Sequence, residues 1–188
     1  MQRPTNHKIG AALIILLLIS VSLLNAEPIH LQSGSTRFPI LIDFPIAPET
    51  HYMATPNLTN SIFYSYTATD EQASIAYAVT IVSIPANLGS IPKDTAQMML
   101  DQSLETQISM VDDAVGVKGK VIRSNSEPLG GYASRQMEVV RQTTPRLFGS
   151  YRAVFVNRLL VTVWASGLDT SNNRSQAKAF VKSLQIKQ

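Results

Sequence analysis

The chain contains no cysteine, so its fold owes nothing to disulfides and no thiolate can serve as nucleophile or metal ligand. Histidine is almost as scarce. Of the three present, only His30 and His51 lie beyond the N-terminal apolar run, and no His-Glu-x-x-His pattern occurs. A metal centre would therefore lack its usual donors. No Gly-x-Ser-x-Gly elbow appears, and no glycine-rich phosphate loop opens a helix. Asp112 and Asp113 are neighbouring carboxylates, but at a predicted helix end they are solvated rather than set in a cleft. Charged residues make up only 15% of the chain, and no repeat or low-complexity tract interrupts it. These absences predict a protein that is not an enzyme and carries neither metal nor cofactor.

One long hydrophobic run is present. Arg3 and Lys8 precede Ile9–Leu24, and Leu24-Asn25-Ala26 ends on a small residue. This layout predicts a secretory signal peptide over residues 1–26, cut after Ala26. The alternative is an uncleaved anchor, although a run of 16 residues falls short of the roughly 20 that span a bilayer. Export places the protein in a periplasm or outside the cell. Residues 27–188 then form one domain, long enough for a core without staples and with no stable membrane span.

Charge is divided along that domain. Residues 27–117 carry 2 basic and 10 acidic side chains, residues 118–188 carry 12 basic and 3 acidic, and the sum is only +1. With export, that sum argues against nucleic acid. The two halves are expected to interleave in one sheet and neutralise each other.

The strongest pattern is a meander over Tyr132–Ala165. Ala153–Val156 and Leu159–Trp164 are strand-like, and only Asn157-Arg158 separates them. A two-residue turn there predicts Val156 opposite Leu159, Val154 opposite Val161 and Arg152 opposite Val163. Both faces of that hairpin are apolar, so each needs a cover. Two amphipathic helices are available. The first runs from Asp94, with Asp94 and Gln97 as a capping box, to about Val111, where Asp112-Asp113 opposes the helix dipole. Its stripe is Ala96, Leu100, Leu104, Ile108 and Val111, with Gln107 in water. The second runs over Asn173–Leu184 with Ala177, Phe180, Val181 and Leu184 inward and Lys178 and Lys182 in water.

Further strands are expected at Phe38–Pro45, which Pro39 and Pro45 confine to an edge or restrict to a short core, at Ser61–Thr69, at Ser74–Ile84 and at Val117–Ser124. Ile29–Arg37 reads as a lead-in and Ala47–Asn60 as a loop. The fold class is α+β: an antiparallel sheet of six to seven strands with a helix on each face.

This order, with several local segments, resembles the PsbP-like family, which includes the photosystem II extrinsic protein, Ran-binding Mog-type proteins and bacterial exported proteins. The matching segments are Phe38–Pro45, the helix led by Pro92, Glu127-Pro128-Leu129-Gly130-Gly131-Tyr132-Ala133-Ser134-Arg135, Asn157-Arg158-Leu159-Leu160, and Ala179–Leu184, where Leu184 stands in place of the usual Phe. The resemblance implies an α/β/α sandwich. It implies no shared active site and transfers no partner surface.

Arg135, Arg141, Arg146 and Arg152 gather on or beside the meander and are candidate interaction residues. Arg135 shares a face with Met137 and Val139, while Glu138, on the opposite face, is a candidate partner for Arg152. Tyr151 and Trp164 are candidates for lining a ligand site between sheet and helix. The preferred expectation is an exported, non-enzymatic module of the cell envelope that binds a protein. The alternatives are a carrier of a small apolar or anionic ligand and, third, a hydrolase. Oligomeric state and partner identity are not readable.

Overall fold

The computed structural model describes residues 29–33, 36–54, 62–84 and 91–187. The predicted signal segment, residues 1–26, lies outside them. The described elements are β1 (Ile29–Ser33), β2 (Thr36–Ile42), β3 (Glu49–Ala54), β4 (Ile62–Asp70), β5 (Ile75–Ser83), α1 (Lys93–Val115), β6 (Lys120–Asn125), β7 (Ser134–Arg141), β8 (Leu147–Val156), β9 (Leu159–Leu168), α2 (Ser171–Lys182) and β10 (Gln185–Ile186).

Seven strands form one antiparallel sheet in the order β3-β4-β5-β9-β8-β7-β6. The β8–β9 hairpin has the register expected from its sequence, with Val156 opposite Leu159 and Tyr151 opposite Trp164. Asn157 and Arg158 both take positive φ, 45° and 69°, the conformation a two-residue hairpin turn requires. Each face is covered by one helix, as the two apolar faces demanded. Leu100, Leu104 and Ile108 of α1 pack on Met137, Val139, Tyr151 and Ala153. On the other face, Ala177, Phe180 and Val181 of α2 pack on Tyr77, Val79, Val161 and Val163. Burying each such aliphatic side chain contributes about 1.5–3 kcal/mol, so each helix is held mainly by its stripe.

The second helix is capped by Thr170, whose hydroxyl accepts from the Asn173 amide at 3.1 Å. The first departs from expectation at both ends. Pro92 occupies the N-cap position without a side-chain cap, so the Asp94–Gln97 box is not used. The helix also continues past Asp112 to Val115, and Gly116 closes it at φ 69°. Asp112 is tolerated near the negative helix end because Arg141 reaches it, as described below. Gln107, expected in water, is buried and accepts a hydrogen bond of 3.0 Å from the Trp164 indole.

Three short strands make a second sheet, β1-β2-β10, on the α2 side of the main one. Two of the expectations fail here. Ile29–Ser33 is a strand rather than a lead-in, and β3 lies within the supposed Ala47–Asn60 loop. Of the two placements open to the Phe38–Pro45 strand, β2 takes the non-edge one: it is the middle strand of this sheet, despite Pro39. An irregularity in β1–β2 pairing sets Leu31 against the stretch holding Pro39, so the missing N–H interrupts no regular pair, while the Pro39 carbonyl accepts from Lys187 at 3.0 Å.

Within the main sheet the two halves of the chain do not interleave, although β10 joins β2 in the second sheet. Strands from the acidic half occupy β3-β4-β5 and strands from the basic half occupy β9-β8-β7-β6, meeting only at β5–β9. Neutralisation comes instead from α1, an acidic-half element laid over the basic half.

Candidate functional site

The four candidate arginines are not brought together. Arg135 lies under α1 with its Nε 2.9 Å from an Asp101 carboxylate oxygen, an ion pair rather than an aligned hydrogen bond, and its Nη1 donates to Ser126 Oγ at 2.6 Å. Arg141, at the other end of the same face, is fully buried. Its Nε donates to Asp112 Oδ1 at 2.6 Å, its Nη1 to the Tyr151 hydroxyl at 3.2 Å and its Nη2 to the Ile108 carbonyl at 3.0 Å. Arg146 sits at the β7–β8 turn and pairs with Asp169 at 3.0 Å, a carboxylate it shares with Arg174. Arg152 faces the opposite way. It donates to Ser134 Oγ at 3.1 Å and to the Glu127 carbonyl at 3.4 Å. Glu138 does share the face of Arg152, but Lys178 and Arg123 hold its carboxylate instead.

The Tyr151 and Trp164 rings stack at 6.2 Å between sheet and α1, packed against its Leu100–Leu104–Ile108 stripe. Burial pushes the Tyr151 hydroxyl above its ordinary pKa, with the Arg141 guanidinium opposing. Gly149 makes room for this ring, since a Cβ there would lie 2.6 Å from it. Both aromatics thus meet their polar needs inside the protein, and the space expected to line a ligand is occupied by core.

A cleft does exist on the opposite face, where α2 meets the β6–β7 side of the sheet. Antiparallel pairing sets Arg123 beside Glu138 and Asn125 beside Gln136, and these four point toward α2. The i, i+4 pair Lys178 and Lys182 on α2 and Glu127 beyond β6 complete a space of about 340 Å³. Glu138 is buried on its floor, with Lys178 Nζ at 3.0 Å and Arg123 Nη1 at 3.9 Å. Lys178, expected in water, is partly buried and also lies 5.6 Å from the centre of the Phe148 ring. Lys182 has no ion-pair partner among the described residues, though in the last helical turn it faces the helix's orphan carbonyls. Behind the wall, Arg152 is buried and meets only uncharged oxygens. Burial lowers its pKa, and the Glu127 charge opposes that shift. The Asn125 Oδ1 atom is buried without a hydrogen-bond partner.

Of the residues in and beside this cleft, the sequence singled out only Arg152, as an interaction candidate, and Glu138, as its partner. The usable signals were Glu138, the lone acid in a buried strand, and the Lys178/Lys182 pair one turn apart. His51, by contrast, is exposed on β3, 3.7 Å from Glu49. Among the described residues no group of three His, Cys, Asp or Glu side chains gathers closely enough to hold a metal ion. No described helix is long and apolar enough to cross a membrane.

The chain resembles the solution structure of cyanobacterial PsbP, CyanoP, from Synechocystis sp. PCC 6803, with a TM-score of 0.52 over 90% of this chain and 99% of that one, at 12% identity. The fold is PsbP-like. LpqN, a Mycobacterium tuberculosis protein involved in cell envelope biogenesis, aligns with TM-score 0.44 at 14% identity over 86% of this chain and 90% of its own. A Pseudomonas aeruginosa protein of unknown function, PA94, gives 0.39 at 6% identity over 69% and 89%. No family model matches the sequence, and no curated protein does. At such identities the PsbP-like likeness concerns architecture, in agreement with the resemblance read from the sequence.

Proposed function

We propose that the chain is an exported, non-catalytic binding module of the cell envelope that captures a protein partner by its β6 edge. The observation that carries this reading is the make-up of that edge. β6 ends the strand order, and Val121 and Ile122 on it are 45% and 47% exposed. An open strand edge offers a row of backbone donors and acceptors to an incoming extended segment. Lys118, Lys120 and Arg123 surround the apolar pair, and the pairing with β7 is irregular between Val121 and Arg123. Basic charge and a bulge discourage two copies from pairing edge to edge. The same charge favours an acidic segment, so the partner presents an extended, carboxylate-bearing stretch.

Export rests on the Arg3, Lys8 and Ile9–Leu24 pattern. A photocrosslinking residue at Ile122 tests the reading in intact cells, with Gln72, on the exposed β4–β5 turn, as the control site. Specific adducts are expected from Ile122 and not from Gln72, and Lys118→Glu with Lys120→Glu should abolish them. Equal labelling at both positions, or none at either, would overturn the proposal.

A further inference from the structure

The cleft between β6–β7 and α2 carries an inference that shares only Arg123 with the β6 edge. Its lining holds three cations, Arg123, Lys178 and Lys182, against two carboxylates, Glu127 and Glu138. Glu138 is already shared by two of those cations, and buried Arg152 adds a fourth positive charge with no carboxylate within ion-pair distance among the described residues. Positive charge is therefore in excess, which calls for an anion.

The lining is not simply basic. Glu127 and Glu138 offer only acceptors when ionised. An oxyanion with no proton, such as sulfate, would satisfy the cations but set its own oxygens against these acceptors. A phosphate group retaining one proton answers both needs. Its free oxygens accept from the Lys and Arg groups, and its P–O–H donates to Glu127 or Glu138. We propose that this cleft binds such a phosphate group, as inorganic phosphate or as a phosphomonoester. The volume of about 340 Å³ far exceeds one phosphate and falls at the lower end of small-ligand pockets, about 300–1,000 Å³, so there is room for an organic moiety.

The test is titration of the purified chain at about pH 6, where a large share of inorganic phosphate and of a phosphomonoester keeps a proton, with inorganic phosphate, glycerol 3-phosphate and sodium sulfate at fixed ionic strength, by calorimetry and by amide chemical shifts. Thermal shift alone would mislead, since phosphate and sulfate both stabilise folded proteins by exclusion from their surfaces. Phosphate or its ester should bind about tenfold more tightly than sulfate, the effect expected when a buried acceptor gains or lacks its donor. Shifts should centre on Arg123–Asn125, Gln136 and Lys178–Lys182. Comparing inorganic phosphate with the ester identifies the source. Lys182→Gln should weaken binding by up to about fivefold, as for an exposed ion pair. Glu127→Gln should narrow the preference over sulfate. Both positions are exposed, so circular dichroism should show both variants folded. Equal affinity for sulfate would reduce the cleft to a basic patch and refute the proposal; so would shifts that ignore these residues, or no shift with any of the three anions.

Discussion

Replacing Arg141 with Met tests whether α1 is clamped by a charge as well as by its apolar stripe. The guanidinium is fully buried and makes three hydrogen bonds, to Asp112 Oδ1, the Tyr151 hydroxyl and the Ile108 carbonyl. Met keeps most of the volume and removes all three. Asp112, 14% exposed, would be left unpaired close to the negative end of α1. Breaking a buried pair on one side costs about 3–5 kcal/mol, and partial access to water places this case near 3 kcal/mol. For a domain of this size the melting temperature should fall by about 6–12 °C. Urea unfolding should show a lower midpoint with an unchanged slope, meaning lost stability rather than a different unfolded state. Adding Asp112→Ala removes the stranded charge, so Arg141→Met with Asp112→Ala should recover more than half of the loss. A single-variant loss under about 1 kcal/mol, or a double variant no more stable than the single, would refute the clamp.

Three other outcomes follow from the packing and the ion pairs. Gly149→Ala should destabilise the protein by about 1–3 kcal/mol through overpacking against the Tyr151 ring, which is buried and cannot swing away; a neutral result in a urea melt would count against that fit. Asp169 is held below the ordinary carboxylate pKa by the Arg174 hydrogen bond, against burial, and then by the charges of Arg174 and Arg146. Its contribution is therefore present above about pH 4 and is lost as pH falls through the lowered value. Asp169→Asn should cost about 1–3 kcal/mol at pH 7, with the gap to wild type closing in acid unfolding curves. Tyr77 is pushed up to about 12 by burial and by Asp70, while its hydroxyl donates to Gln176 at 3.1 Å. Stability from this group is complete below about pH 10 and fades as pH rises toward 12, so Tyr77→Phe should flatten the alkaline limb of the stability profile.

What could be read from the sequence was what neighbouring residues decide together. The Asn157-Arg158 turn fixes ten cross-strand partners because turn length sets register. The demand for two covering helices followed from two dry faces of one hairpin. Failures occurred where distant groups overrule local preference. Asp112 reads as a helix stop until Arg141, on another element, neutralises it. Gln107 reads as wet until the Trp164 indole needs an acceptor. β1 and β10 are short and polar in part, and become strands only because β2 lies between them. The arginines illustrate the same limit. Period-two alternation placed Arg135 and Arg152 on opposite faces, but it could not say that Asp101, Asp112 and Asp169 would take three of the four.

Strand order explains why the binding surfaces proposed above lie together at one end. Had the halves interleaved, each basic strand would have had an acidic neighbour. Instead the chain crosses through α1 from β5 to the far edge and returns by a meander, so β6, β7 and β8 adjoin no acidic-half strand. Among the described residues the acidic half reaches this end through α1, on one face, where Asp101 and Asp112 pair with Arg135 and Arg141. The other face receives α2, itself basic, and there, among the described residues lining the cleft, Glu127 and Glu138 alone oppose Arg123, Lys178, Lys182 and the neighbouring Arg152. The surplus is thus a consequence of topology: one helix neutralises one face, and the face it cannot reach keeps its charge.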